Sequence, residues 1–447
     1  MPSVKLILRL SALLACASLL GCAAPREASS DNKLTATIAT TTAVTVMQVL
    51  TDNEAGVDGL DNPRAVKISP DGTYAVVASG DDNSLAIFDI NDDFSLSFNR
   101  VFKNNTHGVS GLEGASQIAF LPGSNKFVVA SFYDSALVVF ERDEDNEYRF
   151  KRRVSDGLSI ERIFNSTEPL GALDTLGLLG AWDVVVSDDG QQLFIASYKS
   201  NALSVFETSV FDVSEPGVSG GDNHSDDSVL VNRVEGGELG LGGAVGLALS
   251  GDNTLLAVTG FDEHMLTLYN RTTDGDLELS QTLRGGDTGI PQLVNPQVVK
   301  FSPGGHYIYV ACAGSDAIVV FKRDKIGGET AKYALFQTLT NEQLGGGLKG
   351  AGSLAISPDG LRIFVAGEAD TGVIVLRKES DGRLRLESKL LTTDLIISSL
   401  AIDDSILANF LQGISSLQLS KDGQYLLVTS AKQDSLSVLK LESGPED

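Results

Sequence analysis

Apolar and polar positions alternate in short bursts along most of the chain, and the bursts repeat. The segment AVKISPDGTYAVVASGDDNSLAIFD (65–89) recurs without a gap as QIAFLPGSNKFVVASFYDSALVVFE (117–141), DVVVSDDGQQLFIASYKSNALSVFE (183–207) and GLALSGDNTLLAVTGFDEHMLTLYN (246–270). It returns as VVKFSPGGHYIYVACAGSDAIVVFK (298–322), SLAISPDGLRIFVAGEADTGVIVLR (353–377) and SLQLSKDGQYLLVTSAKQDSLSVLK (416–440). One column holds Val77, Val129, Ile195, Val258, Val310, Val365 and Val428, all β-branched, and another holds Phe88, Phe140, Phe206, Tyr269, Phe321, Leu376 and Leu439, all large and apolar. Period-two alternation broken by Pro/Gly/Asp turns signals strands rather than helices. In SPDG, Pro70 presets the first turn torsion, and Asp71 and Gly72 suit the tight return.

Each unit therefore predicts strand A (AVKIS), strand B (YAVVAS) and strand C (SLAIFDI), followed by a weaker strand D in LSFNRVF, YRFKRRV, SVLVNRV, LELSQTL, YALFQTL and LRLESKL. Four strands recurring every 52 to 66 residues are the pattern of a β-propeller blade, which buries both faces only when stacked in a ring. The expected fold is all-β: a seven-bladed propeller of four-stranded antiparallel blades spanning 44–442, with 443–447 as a C-terminal tail. The seventh repeat lacks a strand D, whereas VTVMQVLTDNEAGVDGLDNP, before the first repeat, is built like LELSQTLRGGDTGIPQLVNP, a fourth strand with its exit loop. Val44 to Leu50 is thus expected to complete blade 7 and close the ring.

The ends of the chain and its charge change the picture next. Lys5 and Arg9 precede an apolar run from Leu10 to Gly21, the order of a secretory signal, and the run is too short to span a membrane. Leu19-Leu20-Gly21-Cys22 resembles the bacterial lipobox. The alternative Cys16 would leave about six apolar residues, too few for the h-region. The reading is a lipoprotein signal over 1–21, lipidation at Cys22 and a flexible tether over 22–43. It implies a bacterial envelope protein held on the membrane by its N-terminal lipid. Ala23 rather than Asp after Cys22 favours the outer membrane. The formal charge of −25, made more negative when the signal removes two bases and no acid, excludes nucleic acid as a partner. Cys312 remains as the one thiol of the repeats, inside the apolar YIYVACAG, so no internal disulfide is expected.

Catalytic signatures are sparse. The chain has no HExxH, D-x-[DN]-x-[DN]-G loop, sialidase box or GH and WD pair. His107, His224, His264 and His306 fall in separate units, so no metal site is expected, and nothing calls for a cofactor. At the entry to strand A, where a propeller's ligand face opens onto its channel, most residues are small or neutral. The exceptions are Arg64, Gln117, Trp182, Asp183 and Gln297; Tyr198 and Lys199 lie on a B-to-C turn of the same face, and His107 lies in the loop KNNTHGVSG. Arg64 with His107 and Asp183 form the candidate anion-binding and proton-transfer set, and the others form a polar rim. Two insertions, 155–180 and 392–413, carry Leu and Ile at roughly helical spacing and are expected to lie over the mouth as short helices. A third, 214–227, reads as a solvated loop on the opposite face.

At SPDGTYAVVASGDDNSLAIFD and SPGGHYIYVACAGSDAIVVFKRD the chain resembles the YVTN-type, lactonase-like seven-bladed β-propellers. These include bacterial 6-phosphogluconolactonase, the cyclising muconate enzymes and many envelope proteins. The resemblance spans about residues 44–442. Lipobox, tether and acidic surface lead to the expectation of a binding or assembly module that presents its loop face to an envelope protein or glycan. The resemblance implies the alternative, a lactonase- or isomerase-type enzyme.

Overall fold

The computed structural model describes residues 44–155, 173–211, 230–236, 239–272, 275–286, 290–324, 332–391, 396–397 and 409–442. The signal, the tether, the loop 214–227 and most of the two longer insertions lie outside them. The strands run in chain order. β1 (Val44–Thr51) comes first. Blade 1 follows as β2 (Pro63–Ile68), β3 (Tyr74–Ser79), β4 (Ser84–Ile90) and β5 (Leu96–Lys103). Blade 2 is β6 (Ala115–Phe120), β7 (Lys126–Ser131), β8 (Ala136–Arg142) and β9 (Tyr148–Ser155), and blade 3 is β10 (Ala181–Val186), β11 (Gln192–Ser197), β12 (Ala202–Glu207) and β13 (Leu230–Glu235). Blade 4 is β14 (Ala244–Leu249), β15 (Leu255–Gly260), β16 (Met265–Arg271) and β17 (Leu277–Arg284), and blade 5 is β18 (Pro296–Phe301), β19 (Tyr307–Cys312), β20 (Ala317–Arg323) and β21 (Tyr333–Thr340). Blade 6 is β22 (Ala351–Ile356), β23 (Arg362–Gly367), β24 (Val373–Lys378) and β25 (Leu384–Leu390); then come β26 (Ile396–Ile397) and β27 (Ile414–Leu419), β28 (Tyr425–Ser430) and β29 (Ser435–Leu441) of blade 7.

Blades 1 to 6 are four-stranded antiparallel sheets in sequence order, and blade 7 takes its outer strand from the other end of the chain. β1 pairs antiparallel with β29 from Val44 opposite Leu441 to Thr51 opposite Ser435. It behaves as an ordinary fourth strand in detail. A bulge at Met47 matches those at Ser280 in β17 and Phe336 in β21. The Gln after each bulge grips the next blade. Gln48 donates to the Leu96 carbonyl (2.9 Å) and accepts from its N–H (2.7 Å), as Gln281 does with Tyr333 and Gln337 with Leu384. The expected closure of the ring is therefore present.

One expectation is corrected at this seam. The insertion 392–413 was expected to be helical and to lie over the mouth, but its described residues Ile396–Ile397 form β26. This strand pairs in parallel with Thr45 and Val46 on the outer perimeter of blade 7. An outermost strand offers unpaired N–H and C=O groups, and a neighbouring extended segment satisfies them.

The core sits between blades rather than within one layer. Seven large apolar clusters occupy the seven blade-to-blade interfaces, including the one where β1 contributes Met47 and Leu50 to the joint of blades 7 and 1. Second strands such as β3, β11 and β15 are buried at every residue because both of their faces meet a neighbour. The SPDG turns close on themselves: the Ser69 hydroxyl donates to Asp71 Oδ1 (2.5 Å) while accepting the Tyr74 N–H (3.1 Å). Ser250 and Asp252, and Ser420 and Asp422, repeat the geometry.

A second latch joins successive blades on the face that carries the B-to-C turns. Asn83, Ser135, Asn201, His264, Asp316 and Asp434 occupy one repeat column, the last position of the B-to-C turn, all at positive φ. Their side chains accept the N–H groups of Gly114, Gly180, Gly243, Asn295, Gly350 and Asn62, the residues that lead into the next blade. The last of these, Asp434 to Asn62, spans the seam. It places the B-to-C turns around the channel mouth.

Candidate functional site

The first strands β2, β6, β10, β14, β18, β22 and β27 line the central channel, and two charged layers stand on them. At the mouth, Arg64 leaves the start of β2 and crosses toward other blades. Its guanidinium pairs with Glu368 of blade 6 (3.1 Å) and lies over the Trp182 ring of blade 3, 5.7 Å from the centroid. Trp182 meets Phe132 edge-on (5.5 Å), Phe132 carries the Lys199 ammonium on its face (4.8 Å), and the Tyr198 hydroxyl donates to Asp262 (3.1 Å). Burial is the main cause that pushes the Tyr198 hydroxyl up to about 12, with Asp262 reinforcing it, and burial lowers Lys199. The mouth is thus an aromatic wall from blades 2 and 3 facing one carboxylate across a cation.

Deeper in the ring stands Asp183, with both oxygens committed. Oδ1 accepts the N–H of Val184 and Oδ2 the N–H of Leu247 in the next blade, each at 2.8 Å. Lys67 of β2 and Lys300 of β18 lie close enough for their charges to act on it. Burial raises the Asp183 carboxyl, against the pull of Lys300, the Leu247 N–H and Lys67. Burial likewise brings the Lys67 ammonium down to about 8, helped by Lys300 and opposed by Asp183. Lys67 is enclosed by the ring, yet part of its surface stays uncovered by protein.

The expected set does not converge. Arg64 and Trp182 meet, and Asp183 lies on the same channel wall. His107, however, is at the perimeter, exposed over a groove of about 460 Å³ lined by Arg100, Phe102, Tyr148, Arg149 and Phe150. The cause is the loop around it. Asn104 accepts the Leu112 N–H (3.1 Å), Asp134 accepts the Glu113 N–H (2.7 Å) and Thr106 bridges to Val109, which leaves His107 at the outward tip with φ 49°. Gln117 turns back to the N–H of Ile118 (3.0 Å), and Gln297 packs against Gly352, where a Cβ would meet its Oε1 at 3.1 Å. Among the described residues the acids Asp52, Asp58 and Asp82 come together at the seam, where Lys103 already pairs with Asp58 (2.6 Å) and Asp82 (3.4 Å).

The family profile described as "Lactonase, 7-bladed beta-propeller" matches residues 224–446, the half of the chain that carries blades 4 to 7. The chain is a lactonase-like seven-bladed β-propeller. A second profile, "WD domain, G-beta repeat", matches 46–89 of this propeller, from β1 to β4. No curated protein matches the sequence. Among solved structures, the periplasmic gluconolactonase of Pseudomonas aeruginosa superposes with a TM-score of 0.56 at 15% identity, covering 74% of this chain and 85% of that one. A protein of unknown function from Desulfotomaculum acetoxidans gives 0.55 at 16% identity, covering 82% and 92%. A Bacteroides fragilis protein provisionally assigned as a 6-phosphogluconolactonase gives 0.54 at 17%, covering 74% and 84%. At such identities the likeness is one of fold.

Three charged residues of the propeller escape a reading of strand entries alone: Glu368, Lys67 and Lys300. The repeat alignment carries a signal for each. Glu368 is the one charged member of the column Gly80, Phe132, Tyr198, Phe261, Ala313, Glu368, Ala431. Lys67 and Lys300 are the two cations in the column Lys67, Ala119, Val185, Ala248, Lys300, Ala355, Gln418. The burial of Cys312, which pushes its thiol up, agrees with an inert core residue.

Proposed function

We propose that the protein is a lactone-hydrolysing enzyme whose reaction takes place at the channel mouth, between Arg64, Glu368 and Trp182. The observation that supports it is the Arg64–Glu368 pair at 3.1 Å, with Arg64 over the indole face, a cation and a carboxylate from blades 1 and 6 with an apolar platform from blade 3. A small sugar-type lactone stacks its ring on Trp182 and turns its carbonyl oxygen to Arg64. Glu368 takes a proton from water, the hydroxide attacks the carbonyl carbon, and the guanidinium holds the resulting oxyanion. The tetrahedral centre then collapses, the ring C–O bond breaks, and the departing alkoxide takes the proton from Glu368. The product is the open hydroxy acid. Asp183, whose oxygens are occupied by two backbone N–H groups, clasps blades 3 and 4 rather than moving protons.

The test is hydrolysis of a panel of sugar lactones followed by pH-stat above the spontaneous rate. Glu368→Gln is expected to lose roughly 10²-fold or more in kcat, as for removal of a general base. Wild-type turnover indistinguishable from buffer, or an unimpaired Glu368→Gln, would sink the reading.

The binding-module reading keeps one specific observation. Tyr133, beside Phe132 on the same turn, stands 53% exposed on the mouth rim, the kind of aromatic that anchors a protein or glycan partner. If that reading holds, Tyr133→Ala abolishes capture of an envelope partner while leaving lactone turnover intact. Lipidation at Cys22 and an outer-membrane location belong to the proposal too. They are tested by labelling with a palmitate analogue, with Cys22→Ala expected to release the protein from the membrane fraction.

A further inference from the structure

Among the described residues, neither the Lys67 nor the Lys300 ammonium makes a hydrogen bond or an ion pair with the protein, although both side chains come from channel-lining strands, β2 and β18. Buried ammonium groups are normally neutralised or hydrogen-bonded, because leaving water costs several kcal/mol per ion. Asp183 offers the nearest negative charge, and both of its oxygens already accept backbone N–H groups. Two ammonium charges against one carboxylate leave the channel with an excess of one positive charge. Lys67, on a channel-lining strand, keeps part of its surface uncovered by protein.

We infer that the channel is a binding site for a small monovalent anion, held between the Lys67 and Lys300 ammonium groups beneath the Arg64–Trp182 mouth. The charge count selects one negative charge rather than two. The shared chemistry is that of a halide or the head of a monocarboxylate; Arg64 is already engaged by Glu368 above, so the deeper site receives its charge from the lysines alone. Lys67 is brought to about 8 by burial and Lys300, with Asp183 and Lys300 the charged groups facing it. Occupancy therefore weakens as the pH rises past that value and the ammonium is lost. The inference is independent of lactone turnover, since an anion can occupy the channel whether or not the mouth carries a reaction.

Bromide and acetate serve as probes on the full-length protein. Crystals soaked in bromide are expected to give an anomalous peak within hydrogen-bonding reach of both Nζ atoms. In solution, bromide and acetate titrations should raise the melting temperature of the wild type to a plateau. The double variant Lys67→Met/Lys300→Met should show only the unsaturating drift of a general salt effect, and Lys300→Met alone should weaken the anion by roughly tenfold or more. Tighter acetate than bromide would assign the site to a carboxylate head, and the reverse to a halide. A channel without anomalous density in crystals that bind bromide elsewhere overturns the inference, as does a titration in which wild type and double variant coincide. Because replacing the lysines removes buried charges rather than packing, the variants are expected to fold, and their melting curves verify this directly.

Discussion

Asp71, in the first SPDG turn, and Asp183, in the channel, are the same side chain under opposite constraints. Asp71 is served almost wholly by neighbours two residues away: the Ser69 hydroxyl and the N–H and hydroxyl of Thr73, with Arg142 at 3.4 Å. Partial burial pushes its carboxyl up, but those donors outweigh it and hold the group below its ordinary range. Asp183 draws on Leu247, Lys67 and Lys300, which arrive from three other blades, and burial wins, so its carboxyl is raised. A turn carries its own solution and is copied in five of the seven blades. A channel charge depends on the ring being closed.

The sharpest way to break this contrast is to open the ring. Deleting Val44–Thr51 removes the partner of β29 and the Gln48 grip on Leu96, and a cooperative thermal transition by circular dichroism is expected to disappear. A deletion variant that melts like its parent would show that the long-range class of contacts does not govern the fold. Next in size is Asp183→Ala, which strands the Leu247 N–H and leaves the buried Lys67 ammonium and its neighbour Lys300 without a carboxylate. Removing one partner of a buried charge cluster costs about 3–5 kcal/mol, read from urea unfolding.

Lys67→Met tests the channel with the opposite sign. Replacing a buried charge by a packed apolar chain is expected to stabilise at neutral pH by about 1–4 kcal/mol. The gain has a pH signature. The folded-state value of about 8 lies below the ordinary 10.5, so over that interval the unfolded chain holds more protons and wild-type stability rises with pH. The advantage of the variant should therefore shrink between about pH 8 and 10.5. A constant gain would mean that Lys67 is not desolvated in the folded state.

Asp71→Ala is the smallest perturbation, about 1 kcal/mol for a locally satisfied and largely exposed group. The turn carboxylates act together under acid. Asp71, Asp189, Asp252 and Asp359 are all held low: burial opposes in Asp71, Asp189 and Asp359, but hydroxyl and backbone donors prevail, and in Asp252 the Ser250 hydroxyl leads. Their contribution is complete above the ordinary carboxylate range and lost as the pH falls through their lower folded values. Asp183 runs the other way, because its raised folded value favours proton uptake by the native state on mild acidification. Replacing the turn acids in groups should flatten the acid limb of the stability profile, whereas Asp183→Asn should not.

The blade count, the strand order and the seam were legible because each rests on short-range regularities. Period-two alternation and a gapless A-turn-B-turn-C pattern recur in every unit, a Ser-x-Asp turn recurs in five of the seven, and the missing strand D of the last repeat points to VTVMQVL at the other end. The candidate site was legible only in part. Arg64 and Trp182 stood out at the strand entries and do meet, while His107 occupied a promising loop that its own hydrogen bonds turn outward. Glu368 was discernible as the odd member of its column, but nothing in the chain says that it faces Arg64.

The sequence by itself determined the module, its sevenfold repetition and the closure of the ring, because backbone alternation and turn chemistry act over a few residues. The tertiary structure alone decided which charges meet. Blades 1, 3, 5 and 6 bring Arg64, Trp182, Glu368, Lys67, Asp183 and Lys300 around one axis, and only a closed ring of fixed radius sets the reach and desolvation of those side chains.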